Sequence, residues 1–405
     1  MSHLCKILRL AGLPGMMLLI CTVILKMIAR RRDINDYNDI DSSSVIKVVI
    51  IFLIALVLFY YFIRKNCGFF WLQYIKFSPL KYFVFYTILS CISCLWSDQK
   101  LYSAWMAFET IVYGLLCITV VRNFKNHLTE AILFVLYWGI WSSLVSLIVT
   151  VCRGDLATFF TVQGLHGFGS LTIGPLLGLA LFYPTKKRLK IVYICLALIG
   201  TSSSVYIGIL IAFFFAGLYS SKRYLYILAI LFVVSCYLLG LVINKGDQKF
   251  LSQIFFPGKE VTTIETGTGR DWLYDAAFRI GMEHPVRGWG FANTLDAFQN
   301  SSSVAIPVTV QSIHNSFIEA FISTGFFGLI LMCIFFYEYI RIPMKYSKDN
   351  PVWFAFFVNS IIVMVISFFN PAIGGRVTGA WLPVIFTAVL IVHTKFEIHS
   401  LDLSF

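Results

Sequence analysis

Along this chain, stretches of about twenty apolar residues recur, and most are closed by a short polar loop carrying Lys or Arg. A membrane-crossing helix needs about 20 such residues, so the recurrence decides the fold class before any motif is read. The runs cover 11–28, 45–63, 80–96, 104–121, 129–151, 168–184, 190–219, 224–244, 315–340, 352–369 and 378–394. Composition agrees. The 405 residues are 59% hydrophobic and 13% charged, where a soluble domain is nearer half apolar and a quarter charged. The expected fold is an all-α polytopic membrane protein.

The run 190–219 is long and is interrupted by 201-TSSS-204. Lys186, Lys187, Arg188 and Lys190 precede it, and Lys222 and Arg223 follow. Basic flanks favour the cytoplasm, so the run reads as two short helices meeting at a turn near the outer face. Each half is only about 20 Å long at 1.5 Å per residue. Irregular backbone at that depth requires a protein-lined or watery recess. Counting this hairpin as two gives twelve helices with both termini inside. Loops 122–128, 185–190, 220–223 and 341–350 are then cytoplasmic and basic, while 97–103, 153–166, 245–314 and 370–377 are outside. The basic 30-RRR-32 falls outside in this scheme, against the rule, and is followed by Asp33, Asp36, Asp39 and Asp41.

The chain therefore divides into helices over 1–244, one large outer loop over 245–314, and helices with a cytoplasmic tail over 315–405. The loop is too small for a catalytic domain with a large core of its own and is expected to pack on the bundle. No repeat is evident.

The net charge of +12 sits in short loops, as topogenic and headgroup-facing charge, and no nucleic-acid-binding motif accompanies it. The run after Lys6 and Arg9 continues to about Met27 and reads as a spanning helix rather than a cleaved signal. Of ten cysteines, Cys21, Cys91, Cys94, Cys117, Cys195, Cys236 and Cys333 lie in apolar runs and none in the long loop. That is neither a disulfide framework nor a metal site.

Two stretches carry chemistry. In 266-TGTGRDWLYDAAFRIGMEHPVRGWGF-291, a Gly- and Thr-rich lead runs into Arg270, and a helical pattern follows until Pro285 stops it and 288-GWG-290 turns the chain. Such a lead suits an anion, because backbone N–H groups and a helix N-terminus can face phosphate oxygens. It is not a nucleotide loop, since no GK[ST] follows. In 311-QSIHNSFIEAFISTGFFGLILMCIFF-336, His314 and Asn315 stand where the chain re-enters the membrane, and Glu319 lies one turn on. An ionisable group at membrane depth costs at least a few kcal/mol and needs a cavity or a partner. Glu319 is equally a site-lining residue or a helix–helix hydrogen bond at this point.

The spacing in 314-HNSFIEAFISTGFFG-328, preceded by 269-GR-270, 284-HP-285 and 288-GWG-290, resembles the bacterial O-antigen ligase and polysaccharide polymerase superfamily. The segment 92-ISCLWSDQKLYSAW-105 is similar to a loop of its exopolysaccharide-polymerase branch. The resemblance covers most of the chain after about residue 80.

It implies a GT-C-like membrane glycosyltransferase of the bacterial inner membrane, acting at the periplasmic face without metal or cofactor. The donor is an undecaprenyl-diphosphate-linked glycan. The acceptor is a second glycan or lipid A–core, and a chain-length regulator is a further expected partner. Carried over are Arg270 on the diphosphate and His314 as base. Asn315, Glu319, Arg287 and Arg376 are the expected substrate-binding residues. Histidine has a suitable intrinsic pKa for the proton step, and arginine offers a fixed fork of donors for phosphate oxygens.

One feature departs from the family, whose members often carry a basic residue where this chain has 201-TSSS-204. Polymerase is the preferred activity. Ligase is the alternative with the same donor, a transporter or flippase is the alternative from another class, and an acidic metal loop at 39-DID-41 is a fourth.

Overall fold

The computed structural model describes residues 3–28, 42–64, 67–152, 172–200, 203–219, 230, 270–304, 313–348, 350–370, 372–375 and 381–402. Every described element is a helix, in the order α1 (His3–Ile28), α2 (Ser42–Arg64), α3 (Cys67–Ile75), α4 (Leu80–Ser93), α5 (Lys100–Asn123), α6 (Leu128–Cys152), α7 (Gly174–Phe182), α8 (Lys187–Gly200), α9 (Ser203–Tyr219), α10 (Arg270–Glu283), α11 (Thr294–Asn300), α12 (Ser316–Tyr346), α13 (Pro351–Phe369) and α14 (Trp381–Asp402). Among the described residues, six helices are long and apolar enough to cross a membrane. Shorter apolar helices include Leu80–Ser93, Ile207–Tyr219 and Trp381–Phe396. The protein is a multi-pass, all-helical membrane protein. The expected run 224–244, apart from Ile230, the basic tract 30–32 and the acids 33–41 lie outside the described residues. The run 190–219 is two helices, α8 and α9, as its interruption predicts.

In a bundle without water, close contact between helices does the holding. α13 packs against α7 and α9. At Gly178 a Cβ would stand 2.5 Å from the Asn359 backbone, so only glycine permits this approach of α7 to α13. Asn359 then accepts a hydrogen bond from the Leu179 amide at 3.0 Å. Residues 174–180 of α7 are all buried, as expected of a helix apolar on every side. Elsewhere α2 is largely exposed, yet Lys47 meets the buried Glu109 of α5 at 2.8 Å.

One end of the bundle gathers basic residues of α1, the α5–α6 loop and α14. There Lys6 pairs with Glu130 at 2.6 Å, His393 binds the Lys125 carbonyl at 2.7 Å, and Lys395 lies over the Phe77 ring. The opposite end carries the α4–α5 turn and the segment 284–300.

The expected straight span 315–340 is corrected here. α12 breaks at Gly325, where φ is +72°, and its second limb continues to Tyr346. The first limb, 316–324, folds back on the second. Phe317 and Phe336 have ring centroids 5.2 Å apart, although a straight helix would separate them by about 28 Å. Segment 285–290 fills the break. The Trp289 amide donates to the Ile322 carbonyl at 2.8 Å, the Gly290 amide to Ser323 at 3.0 Å, and the Phe326 amide to Pro285 at 2.8 Å. In an unbroken helix Ile322 and Ser323 would accept from residues 326 and 327. The loop has replaced those bonds one for one.

A methyl at 325 would collide with the Val286 carbonyl and would force a side chain into a left-handed conformation. Gly325→Ala is therefore expected to lower the detergent-solubilised melting temperature by several degrees or to abolish accumulation. Gly114→Ala, whose new methyl would meet nothing closer than Phe83 at 3.8 Å, should melt like wild type. Equal melting of both variants would refute the break.

Candidate active site

The first limb of α12 begins with a capped turn. Asn315 is extended, at φ −147° and ψ 118°, and its side-chain oxygen accepts from the Phe317 and Ile318 amides, at 2.9 and 3.1 Å. Asparagine is a preferred cap because it supplies an acceptor to amides that have no partner in the first turn. The structure thus gives Asn315, expected on substrate, a cap to hold.

Just before it, His314 has φ +56°, in the left-handed region that few non-glycine residues adopt. Its neighbours Ile313 and Asn315 are both buried while His314 is exposed. The backbone twist is what turns the imidazole out between two anchored residues.

Glu319 is buried. Its carboxylate accepts the Thr294 hydroxyl of α11 at 2.5 Å, and a Cβ on Gly375 would lie 2.7 Å from it. It therefore links α11 and the 372–375 loop to the limb. Ser316 does similar service, donating to the Asn370 carbonyl at 3.1 Å and accepting from the Ala372 and Ile373 amides at 2.9 and 3.2 Å. Tyr86 of α4 donates to the Gly374 carbonyl. The loop is thus held from two sides directly before Arg376, which lies outside the described residues.

α10 covers the limb. Phe278 stacks on Phe321, and Leu273, Ala276, Ala277 and Ile280 bury a small apolar cluster with Trp289, Ile313 and Ile322. Arg270 is the first residue of α10, and its side chain is outside the described residues. One turn on, the Tyr274 hydroxyl lies 3.3 Å from the His314 carbonyl and 3.1 Å from that of Phe368. So α10 brings the start of the Arg270 helix to the His314 turn.

Arg287 is exposed at the other end of the limb, its carbonyl accepting from the Trp96 indole at 2.9 Å. The limb's nine residues separate that end from His314 by about 13 Å of helix. The structure does not group Arg287 with His314.

At the far end of α10, Glu283 accepts from the Ser301 hydroxyl at 2.6 Å and the Ser303 amide at 2.8 Å. Burial alone would raise its pKa, but the Ser301, Ser303 and Ser302 bonds outweigh it and hold the carboxyl below the usual range. The clasp is complete above the ordinary glutamate pKa near 4.3 and is lost as pH falls through the depressed folded value. Amide exchange at Ser303, compared with Glu283→Gln, reports that loss; no difference from the variant at neutral pH would refute it.

Beside the limb an apolar groove of about 490 Å³ runs between α12 and α13, lined in part by Phe317, Leu329, Cys333, Phe336, Met364 and Phe368. It begins at Phe317 and Phe368, next to the His314 turn.

Sequence reasoning did not single out Tyr274, Thr294, Ser316 or Tyr86. Only Tyr274 gave a usable signal, standing four residues after Arg270 in a helical pattern.

Thr294→Val removes one donor from a buried carboxylate, which costs about 1–3 kcal/mol. A lower melting temperature with the α11 segment more open to protease is expected. An unchanged melt would show that Glu319 does not depend on that bond.

The two chemistry-bearing stretches overlap a longer match. Residues 189–333, roughly a third of the chain, match the family model described as O-antigen ligase. No curated protein matches the chain. That match supports a place for residues 189–333 in the O-antigen ligase and polysaccharide polymerase superfamily, whose members are membrane glycosyltransferase-like enzymes.

Proposed function

We propose that this protein is a glycosyltransferase of surface-polysaccharide assembly that extends glycans carried on undecaprenyl diphosphate, working at the periplasmic face of a bacterial inner membrane. The observation that carries the reading is the meeting of two distant stretches. Arg270 opens α10, and the next turn of that helix, at Tyr274, reaches the carbonyl of His314. A phosphate-binding arginine and a proton acceptor at those two positions would serve one substrate.

In the reaction, an acceptor hydroxyl attacks the anomeric carbon of the donor glycan. The new C–O bond forms as the bond to the diphosphate oxygen breaks, and its electron pair leaves with the diphosphate. His314 takes the hydroxyl proton. Arg270 offsets the charge gathering on the leaving oxygen, where a preorganised donor in a water-poor recess can contribute several kcal/mol. Attack opposite the leaving group inverts the anomeric centre.

The apolar groove at Phe317 and Phe368 supports a lipid-linked donor, since a hydrocarbon tail in it would end beside the His314 turn. Lys6, Lys125 and Lys395, at the opposite end of the bundle from segment 284–300, support the orientation. Asn315 and Glu319 act in this reading by holding the His314 turn and the loop before Arg376. Arg287 is left as a contact at the rim.

Ligation to lipid A–core would use the same donor and the same groups, so the acceptor is read by experiment. The gene is deleted and complemented with wild type, His314→Ala or Arg270→Ala, and lipopolysaccharide and secreted glycan are separated by size. Both variants should accumulate in the membrane and lose chain extension by at least a hundredfold. Polymer of wild-type length from either would sink the assignment. In the deletion, single repeats on lipid A–core or a lost secreted polymer identify a polymerase. Full-length glycan retained on the carrier identifies a ligase.

A further inference from the structure

We infer that Tyr274 is a positioning residue of this site, one that acts through His314 and sets its distance from Arg270. The inference rests on the proposed function above.

The Tyr274 hydroxyl lies where three separate elements meet. Its own ring stands on α10, and its oxygen is 3.3 Å from the His314 carbonyl and 3.1 Å from the Phe368 carbonyl at the end of α13. A phenol has one proton to give. Both distances exceed the usual O–H···O separation of about 2.7–2.8 Å, as expected of one proton shared between two acceptors. The hydroxyl is a staple between the turn that carries the imidazole, the last turn of a membrane helix and the helix that Arg270 begins.

What the staple restrains is an uncommon backbone. At φ +56° His314 occupies a conformation that persists only where its surroundings enforce it. Ile313, fully buried under α10, and the Asn315 cap hold the residues on either side. The Tyr274 hydroxyl reaches the carbonyl of His314 itself. That carbonyl fixes the peptide plane next to the imidazole, and with it the direction in which the side chain leaves the chain. Arg270 stands one helical turn before Tyr274, about 6 Å along the axis. The same hydroxyl therefore fixes how far the start of α10 stands from the proton acceptor. A general base acts only within hydrogen-bond reach of the proton it removes, and a misplacement of about 1 Å can cost a hundredfold in rate.

Removing the oxygen alone is the test, because Tyr274→Phe keeps the ring and its packing. The donor is the lipid-linked glycan extracted from the deletion strain, and turnover is measured on purified protein in detergent with His314→Ala beside it. For Tyr274→Phe, kcat should fall ten- to hundredfold with KM for the donor within about twofold. Combined with His314→Ala, Tyr274→Phe should add no further loss to the residual turnover, since its effect runs through the imidazole.

Wild-type kcat in Tyr274→Phe, a loss confined to KM, or multiplicative losses in the double variant would each overturn the inference. Full activity of His314→Ala would instead overturn the reading of the site beneath it. A ring-fluorinated tyrosine at 274 keeps the packing and makes the hydroxyl a stronger donor, so it tests the same point if Tyr274→Phe does not accumulate. An altered kcat at constant KM supports the staple, and an unchanged kcat overturns it.

Discussion

At Gly325 the second half of α12 turns away from the first, and segment 285–290 donates to Ile322 and Ser323 and accepts from Phe326. The rest of this end of the protein depends on that exchange. Backbone groups left unpaired in a bilayer each cost several kcal/mol, so a fold-back limb can exist only if other chain satisfies the break. Trp289 and Gly290 do so with their amides, while the Trp96 indole holds the Arg287 carbonyl from the α4 side. Once the break is sealed, the limb is free to run back toward Phe368, which brings the His314 turn to the end of α13. The loop is thus a structural partner of the helix and not a cover laid over a finished bundle.

That arrangement explains which parts were readable in advance. The apolar runs declare the helices because hydrocarbon imposes a length, and α10 ends at Glu283 where Pro285 forbids continuation. The break in α12 left no such mark. Residues 316–324 and 326–346 are similarly apolar, and one glycine in an apolar run is compatible with either a straight or a broken helix. The decision was made by Pro285, Trp289 and Gly290, more than thirty residues away in sequence, and no local pattern carries that information.

The same division holds within the site. Asn315 could have been read as a cap, since asparagine before a helical run is a start signal, but its neighbour His314 drew it into the chemistry. Glu319 stood evenly between lining a cavity and holding a neighbour, and Thr294 of α11 supplies the neighbour. Arg287 was grouped with the site by its charge and its expected place in the outer loop, whereas the break places it at the limb's other end. The Asn315 cap follows from the residue's own chemistry and position and was legible. The places of Glu319 and Arg287 are set by partners far along the chain and were not.

The ion pair between Lys47 and Glu109 bears on how the protein is made. Membrane helices leave the ribosome in order, and α2 is complete at Arg64, 45 residues before Glu109 appears. At 5–20 residues per second that interval is about 2–9 s. Throughout it Lys47, two residues inside the apolar span that begins at Val45, is without its counter-ion. The expectation is that α2 waits beside the insertion machinery until α5 arrives, so that the two helices enter the lipid as a pair. Site-specific cross-linking of arrested nascent chains would follow this directly, with release of α2 before residue 109 is made being the outcome that excludes it.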